Sequence, residues 1–187
     1  MFNLRKSTSD VQKLSLRNDA MEPGSADNGK VSDQTAQISK EIKDRIRGSR
    51  LCNILFKEFG VSMDQLDNLQ IIIEDLDGKY AECDENTMKL NTMMFEKGNF
   101  FEDYFYVILH EICHYLTRVV EGRGLFFDPE ESYGMVAAIA YQMEQGNGLD
   151  EIWNKLFNKV SWHFNDELKA KEVFEKMIEE AKILLNK

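Results

Sequence analysis

Cysteine, histidine and proline are all scarce in this chain: three cysteines, three histidines and two prolines among 187 residues. Cys52, Cys83 and Cys113 form no CxxC pair and match no zinc-ribbon spacing. An odd, unpatterned set argues against a disulfide framework and for free thiols in a reducing compartment. No window approaches the roughly 18 apolar residues of a membrane span. The opening MFNLRKSTSDVQ also lacks the apolar run of a signal peptide. Positive charge is in deficit, with 23 Lys and Arg against 33 Asp and Glu and a net charge of −10. Such a surface repels phosphate backbones. The expectation is a soluble cytoplasmic protein with no nucleic-acid or membrane partner, whose acidity is most simply a solvated surface.

What is present is a globular composition, 43% hydrophobic and 11% aromatic. Residues 1–34 are poor in packing side chains and read as a disordered tail. Residues 35–187 read as a single domain. From Thr35 to Phe59 apolar residues recur at roughly helical spacing, and Gly60 can end the run. LQIIIEDL (69–76) reads as a buried strand, and Asp77-Gly78 marks a turn. The segment LDGKYAEC and then TMKLNT (87–92) supply two more strands, most simply joined as a meander. Helical periodicity returns from Phe100 to Val120, where Phe101, Phe105, Ile108, Ile112, Leu116 and Val119 form one stripe. Asp128-Pro129 is a strong helix start for 128–146. Helical stretches near 149–159 and 165–185 follow. The class is α+β.

Chemistry enters with VILHEICHYL, residues 107–116. On a helix, His110 and His114 project side by side, about 40° and one turn apart. Two imidazoles so placed can ligate one Zn²⁺. Glu111 stands about 100° round from His110, outside the ligand positions but beside them. There it can take a proton from a water activated by the metal, which is the logic of HExxH. The plainer alternative is a histidine pair on a helix surface, with Glu111 in an i,i+3 pair with His114.

A catalytic zinc needs a third protein ligand. No His-x-x-Gly-x-x-His continuation follows His114, so Asp128, Glu130, Glu131 and His163 are the candidates. The break at Gly122 and Gly124 lets the next helix turn back, bringing both glutamates of its first turn toward the motif. Asp128 and Glu131 also have capping-box spacing, and Glu130 would favour the helix dipole.

HEICH followed by EESYGMVAAIA resembles the small HExxH metallopeptidases of the ImmA/IrrE type, with similarity over roughly residues 70–145, the strand pair GKYAECDENTMKLNT included. That family's second motif is a glutamate with small residues three and seven positions on, which maps onto Glu131, Gly134 and Ala138; starting at Glu130 would put Tyr133 at the first small position. The chain departs from the pattern at Met135 and lacks the family's apolar-Met-Pro helix ending, so it looks like a distant or phage-type member. The resemblance implies a minimal zincin, with a small antiparallel or mixed sheet packed against the HExxH helix and further C-terminal helices. It implies one Zn²⁺ per chain, held by His110, His114 and Glu131, and hydrolysis of a protein or peptide substrate with Glu111 as general base. The rival expectation is a zincin fold used as an inactive binding or regulatory module.

Several other residues invite a role. Cys113 lies three positions from His110 and could approach the metal, although a small buried core residue is the commoner use. His163 and the tyrosines Tyr133 and Tyr141 could steady a developing oxyanion, or simply pack. TMKLNTMMF could pair with an extended substrate if it formed a sheet edge. Neither substrate identity nor oligomeric state is readable from these residues.

Overall fold

A computed structural model describes residues 28–96, 99–121, 129–157 and 167–187. The chain begins with helix α1 (Asn28–Gly48) and helix α2 (Arg50–Glu58). Helix α1 therefore starts well before Thr35, inside the segment read as a tail. The single helical run expected over 35–59 is two helices because Ser49 leaves helical geometry at ψ 122° and caps α2, accepting from the Cys52 amide. The apolar spacing carries the same break: Ile38, Ile42 and Ile46 step by four, and Leu51 then falls out of phase. All four are buried. At the far end Gly60, with φ +65°, reverses the chain as expected.

A 3₁₀ turn, Met63–Asn68, leads into strands β1 (Gln70–Glu74), β2 (Ala81–Asp84) and β3 (Thr87–Asn91). The sheet is mixed, not a meander: β3 is central, parallel to β1 and antiparallel to β2. A meander would require β1 and β2 to pair. Instead the Asp77-Gly78 turn, both residues at positive φ, carries the chain past β1, and β2 enters on the far side of β3. The triple-isoleucine strand is consequently an edge. Successive side chains alternate faces, so Ile71 is buried while Ile72 is 37% exposed. The strand expected to be buried is covered on one face only.

The remaining elements are α3 (Phe100–Glu121), α4 (Pro129–Glu144), a short turn of helix α5 (Leu149–Ile152) continuing into a π-turn over Trp153–Phe157, and α6 (Glu167–Leu185). Helix α3 buries Phe105, Ile108, Ile112 and Leu116, and packs against β2 and α4. Helix α4 lies between α3 and α6. Enclosed in this way it is apolar around most of its circumference, and every residue from Met135 to Tyr141 is buried. Met135, which stands where the resemblance expects a polar residue, is part of that core. Tyr115, fully buried on α3, donates a 2.5 Å hydrogen bond to the Gln65 carbonyl and ties the helix to the 3₁₀ turn. Among the described residues no helix is long and apolar enough to cross a membrane.

Candidate metal centre

Helix α3 holds the two motif histidines rigidly because the residues around them are core. Ile108, Leu109, Ile112, Cys113, Tyr115 and Leu116 are all fully buried. His110 and His114 emerge on the side facing α4, their side chains 19% and 11% exposed. Their rings approach edge to face, with centroids 4.9 Å apart. The two Nε2 atoms are 3.1 Å apart.

Glu131, in the first turn of α4, meets this pair. One carboxylate oxygen lies 3.2 Å from His110 Nε2 and the other 3.5 Å from His114 Nε2. Among the described residues, one group of three or more His, Cys, Asp and Glu has ligand atoms all within 4.8 Å of one another, and it is His110, His114 and Glu131. The separations suit a common ion. Ligands about 2.1 Å from a tetrahedral metal stand about 3.4 Å from one another. Two imidazole nitrogens and a carboxylate oxygen are also a donor set that borderline-soft divalent ions accept.

The approach of α4 to α3 depends on Gly134. A Cβ at that position would fall 2.7 Å from His110 Nδ1 and 2.9 Å from its Cγ and Cε1. Only a bare backbone fits against the imidazole. The Gly134 backbone also hydrogen-bonds His110. With Nδ1 on the Gly134 side, Nε2 is left to face Glu131 and His114, and the contact with Gly134 holds the ring in that orientation.

At 3.1 Å the two Nε2 atoms either share a proton, one ring donating to the other, or turn both lone pairs to a cation. Burial alone would lower the pKa of His110, but the Glu131 hydrogen bond, the charges of Glu111 and Glu131 and the Gly134 bond together raise it. A proton thus competes with a metal for the same place. Glu111 is 6% exposed, and burial pushes its carboxyl pKa up, against the pull of His110, His114 and Arg118. A carboxyl whose pKa is raised above the ordinary carboxylate value, beside the histidine pair, is suited to accept and release a proton.

The other sequence candidates separate clearly. Asp128 and His163 lie outside the described residues, and of Glu130 only its helical backbone position in α4 is described. Cys113 is not in the ligand group. It is fully buried, and burial raises its thiol pKa far out of the reactive range. Tyr133 is 53% exposed and packs edge-on against Phe59 at 5.6 Å between centroids. Tyr141 donates to the Phe101 carbonyl at 3.4 Å. It stands ten residues along α4 from Glu131, about 15 Å by helical rise, so it is not part of the centre. β3 is the central strand and cannot take a substrate strand; β1 and β2 carry the edges. Arg118 was not singled out by the sequence, although it is the only cation on α3 and follows His114 by one turn.

Compared with family models, with curated proteins and with solved structures, the chain matches none of them.

Proposed function

We propose that this protein is a zinc-dependent metallopeptidase resembling the ImmA/IrrE type, with a minimal zincin architecture. His110, His114 and Glu131 would hold the ion and Glu111 would act as general base. The observation that carries the reading is the convergence of the two Nε2 atoms and the Glu131 carboxylate at 3.1–3.5 Å, with Glu111 one residue from His110 on the same rigid helix. Zinc, when bound there, lowers the pKa of a water and polarises a carbonyl. The chain's own residues do the rest. Gly134 and the core beneath α3 hold the imidazoles in register. Glu131 supplies negative charge from a second helix and leaves one side of the group open. Glu111 accepts a proton from the attacking water and returns it to the departing amine.

One observation favours a second reading. Glu111 is 6% exposed, so little of its carboxyl meets solvent before a substrate arrives. A binding module with a structural ion would tolerate that burial. The two are separated by elemental analysis followed by turnover of an unfolded protein probe such as casein. The peptidase reading expects about one zinc per chain, retained by Glu111→Gln while cleavage falls at least ~100-fold. Zinc lost from His114→Ala and Glu131→Ala, both folded, identifies the ligands. Cleavage unaffected by Glu111→Gln would refute the peptidase, and no zinc after reconstitution would refute it too and leave a metal-free binding protein as the better account.

A further inference from the structure

Arg118, at the α3–β2 junction, has no task in the proposed chemistry. Its Nη1 donates to the Cys83 carbonyl and stands 3.7 Å from an Asp84 carboxylate oxygen. Asp84 is 84% exposed, and an ion pair that long and that wet is worth little. A guanidinium carries five N–H donors in a flat fork. Among the described residues nothing meets its Nη2 and Nε donors. The side chain is nonetheless 22% exposed, held against the protein and not extended into water. One donor suffices to clamp α3 to β2; the rest of the fork remains for a ligand.

Position says which ligand. Seven residues separate Glu111 from Arg118, which is about 20° short of two full turns. The two side chains therefore leave α3 on nearly the same line, about 10 Å apart along the axis. The carbonyl that Arg118 holds is on the outer side of β2. Asp84 pairs with Thr87 and Glu82 with Lys89, and the Asn91 amide bonds the Tyr80 carbonyl. In an antiparallel pair these alternate residues turn their main chain inward, so Ala81 and Cys83 turn theirs to the free edge. Arg118 thus lies where an extended chain running from Glu111 along β2 would pass.

Resting on the peptidase reading above, we infer that Arg118 recognises a carboxylate of the substrate roughly three extended residues from the bond attacked, and so sets specificity. An acidic side chain and a chain end both present such a carboxylate, and the chemistry that binds either is the same, a forked guanidinium pair.

The test is binding, so it does not depend on turnover. Full-length Glu111→Gln protein, reconstituted with zinc, is titrated into fluorescein-labelled peptides of one length and read by anisotropy. One set carries a single Glu at successive positions with an amidated end, one carries Gln throughout with an amidated end, and one carries Gln with a free carboxylate end. A Glu position or the free end should bind about tenfold or more tighter than the Gln amide, and which of the two does so identifies the source. Adding Arg118→Gln should erase that advantage at unchanged zinc content, and Arg118→Lys, which keeps charge without the fork, should restore part of it. Equal affinity for all three sets, no binding of any, or an advantage that survives Arg118→Gln would overturn the inference. Failure of the peptidase reading shows elsewhere, in the zinc content and in wild-type cleavage.

Discussion

Replacing Gly134 with alanine tests the proposed metal centre without touching any of its proposed ligands. The added Cβ would lie 2.7 Å from His110 Nδ1, and ordinary contact begins near 3.4 Å, so the ring has to retreat by about 0.7 Å. Rotation about χ2 does not relieve this, because Cγ is itself within 2.9 Å and lies next to the ring's pivot. Either χ1 leaves its well or α4 moves away from α3. A displacement of that size exceeds the tolerance of about 0.2 Å for metal–ligand distances. Zinc affinity should therefore fall about 10–100-fold, as it does when a group that orients a metal ligand is disturbed. Global stability should change less. Overpacking costs about 1–3 kcal/mol, but alanine is about 1 kcal/mol better than glycine inside a helix. The assay is a competition titration of zinc against a chromogenic chelator, paired with thermal unfolding of the metal-free protein. An affinity within twofold of wild type would refute the placement of His110 against Gly134, and with it the geometry on which Glu131 becomes a ligand.

Three further outcomes follow from individual contacts. Tyr115→Phe removes the 2.5 Å bond to the Gln65 carbonyl from a fully buried ring; unfolding should be easier by about 1 kcal/mol, read as a melting point about 2–4 °C lower, with zinc content unchanged. The raised pKa of His110 makes a proton the metal's competitor, so zinc affinity should climb as pH rises through that elevated pKa and then level off. In the metal-free protein the sign is opposite: the protonated His110–Glu131 pair stabilises fully below the ordinary histidine pKa, and that stability is lost as pH rises through the raised value. Glu131→Gln should flatten this dependence in thermal melts, and an unchanged profile would refute the pairing. All three cysteines are buried, with the Cys52 thiol pushed up to about 12 by burial; native protein should resist an aromatic disulfide reagent until unfolded, and rapid labelling of Cys113 would place it at the surface.

The sequence was most legible where chemistry is local. The His110–His114 pair needs only helical pitch, and the stripe through Phe105, Ile108, Ile112 and Leu116 places that helix on a core before any tertiary contact is known. The sheet was less legible because strand order is not a local property. The isoleucine run at 71–73 suits a buried strand or an edge with one covered face, and only the crossing of β2 to the far side of β3 decides between them. The split between α1 and α2 was visible in principle as the five-residue step from Ile46 to Leu51, but a helical average over 35–59 hides it.

Glu131 marks the boundary between these two cases. Capping-box spacing with Asp128 and service as a metal ligand draw on the same carboxylate, and one sequence cannot rank them. The ranking depends on how closely α4 crosses α3, and that distance is set three residues away, at Gly134, by the absence of a side chain. With any Cβ there, Glu131 would stand farther from His110 and a capping role would be the simpler account. With none, its two oxygens come to 3.2 and 3.5 Å from the two imidazoles. Arg118 follows the same logic with the opposite sign. Its spacing from Glu111 is plain in the sequence, but a lone arginine near a helix end is ordinarily a solvated charge or a partner for the dipole. What changes its meaning is the outward carbonyl of Cys83, which exists only because β2 is an edge. A ligand pair can be read from pitch; the residues that complete it or select for it are read from which backbones lie close enough to touch.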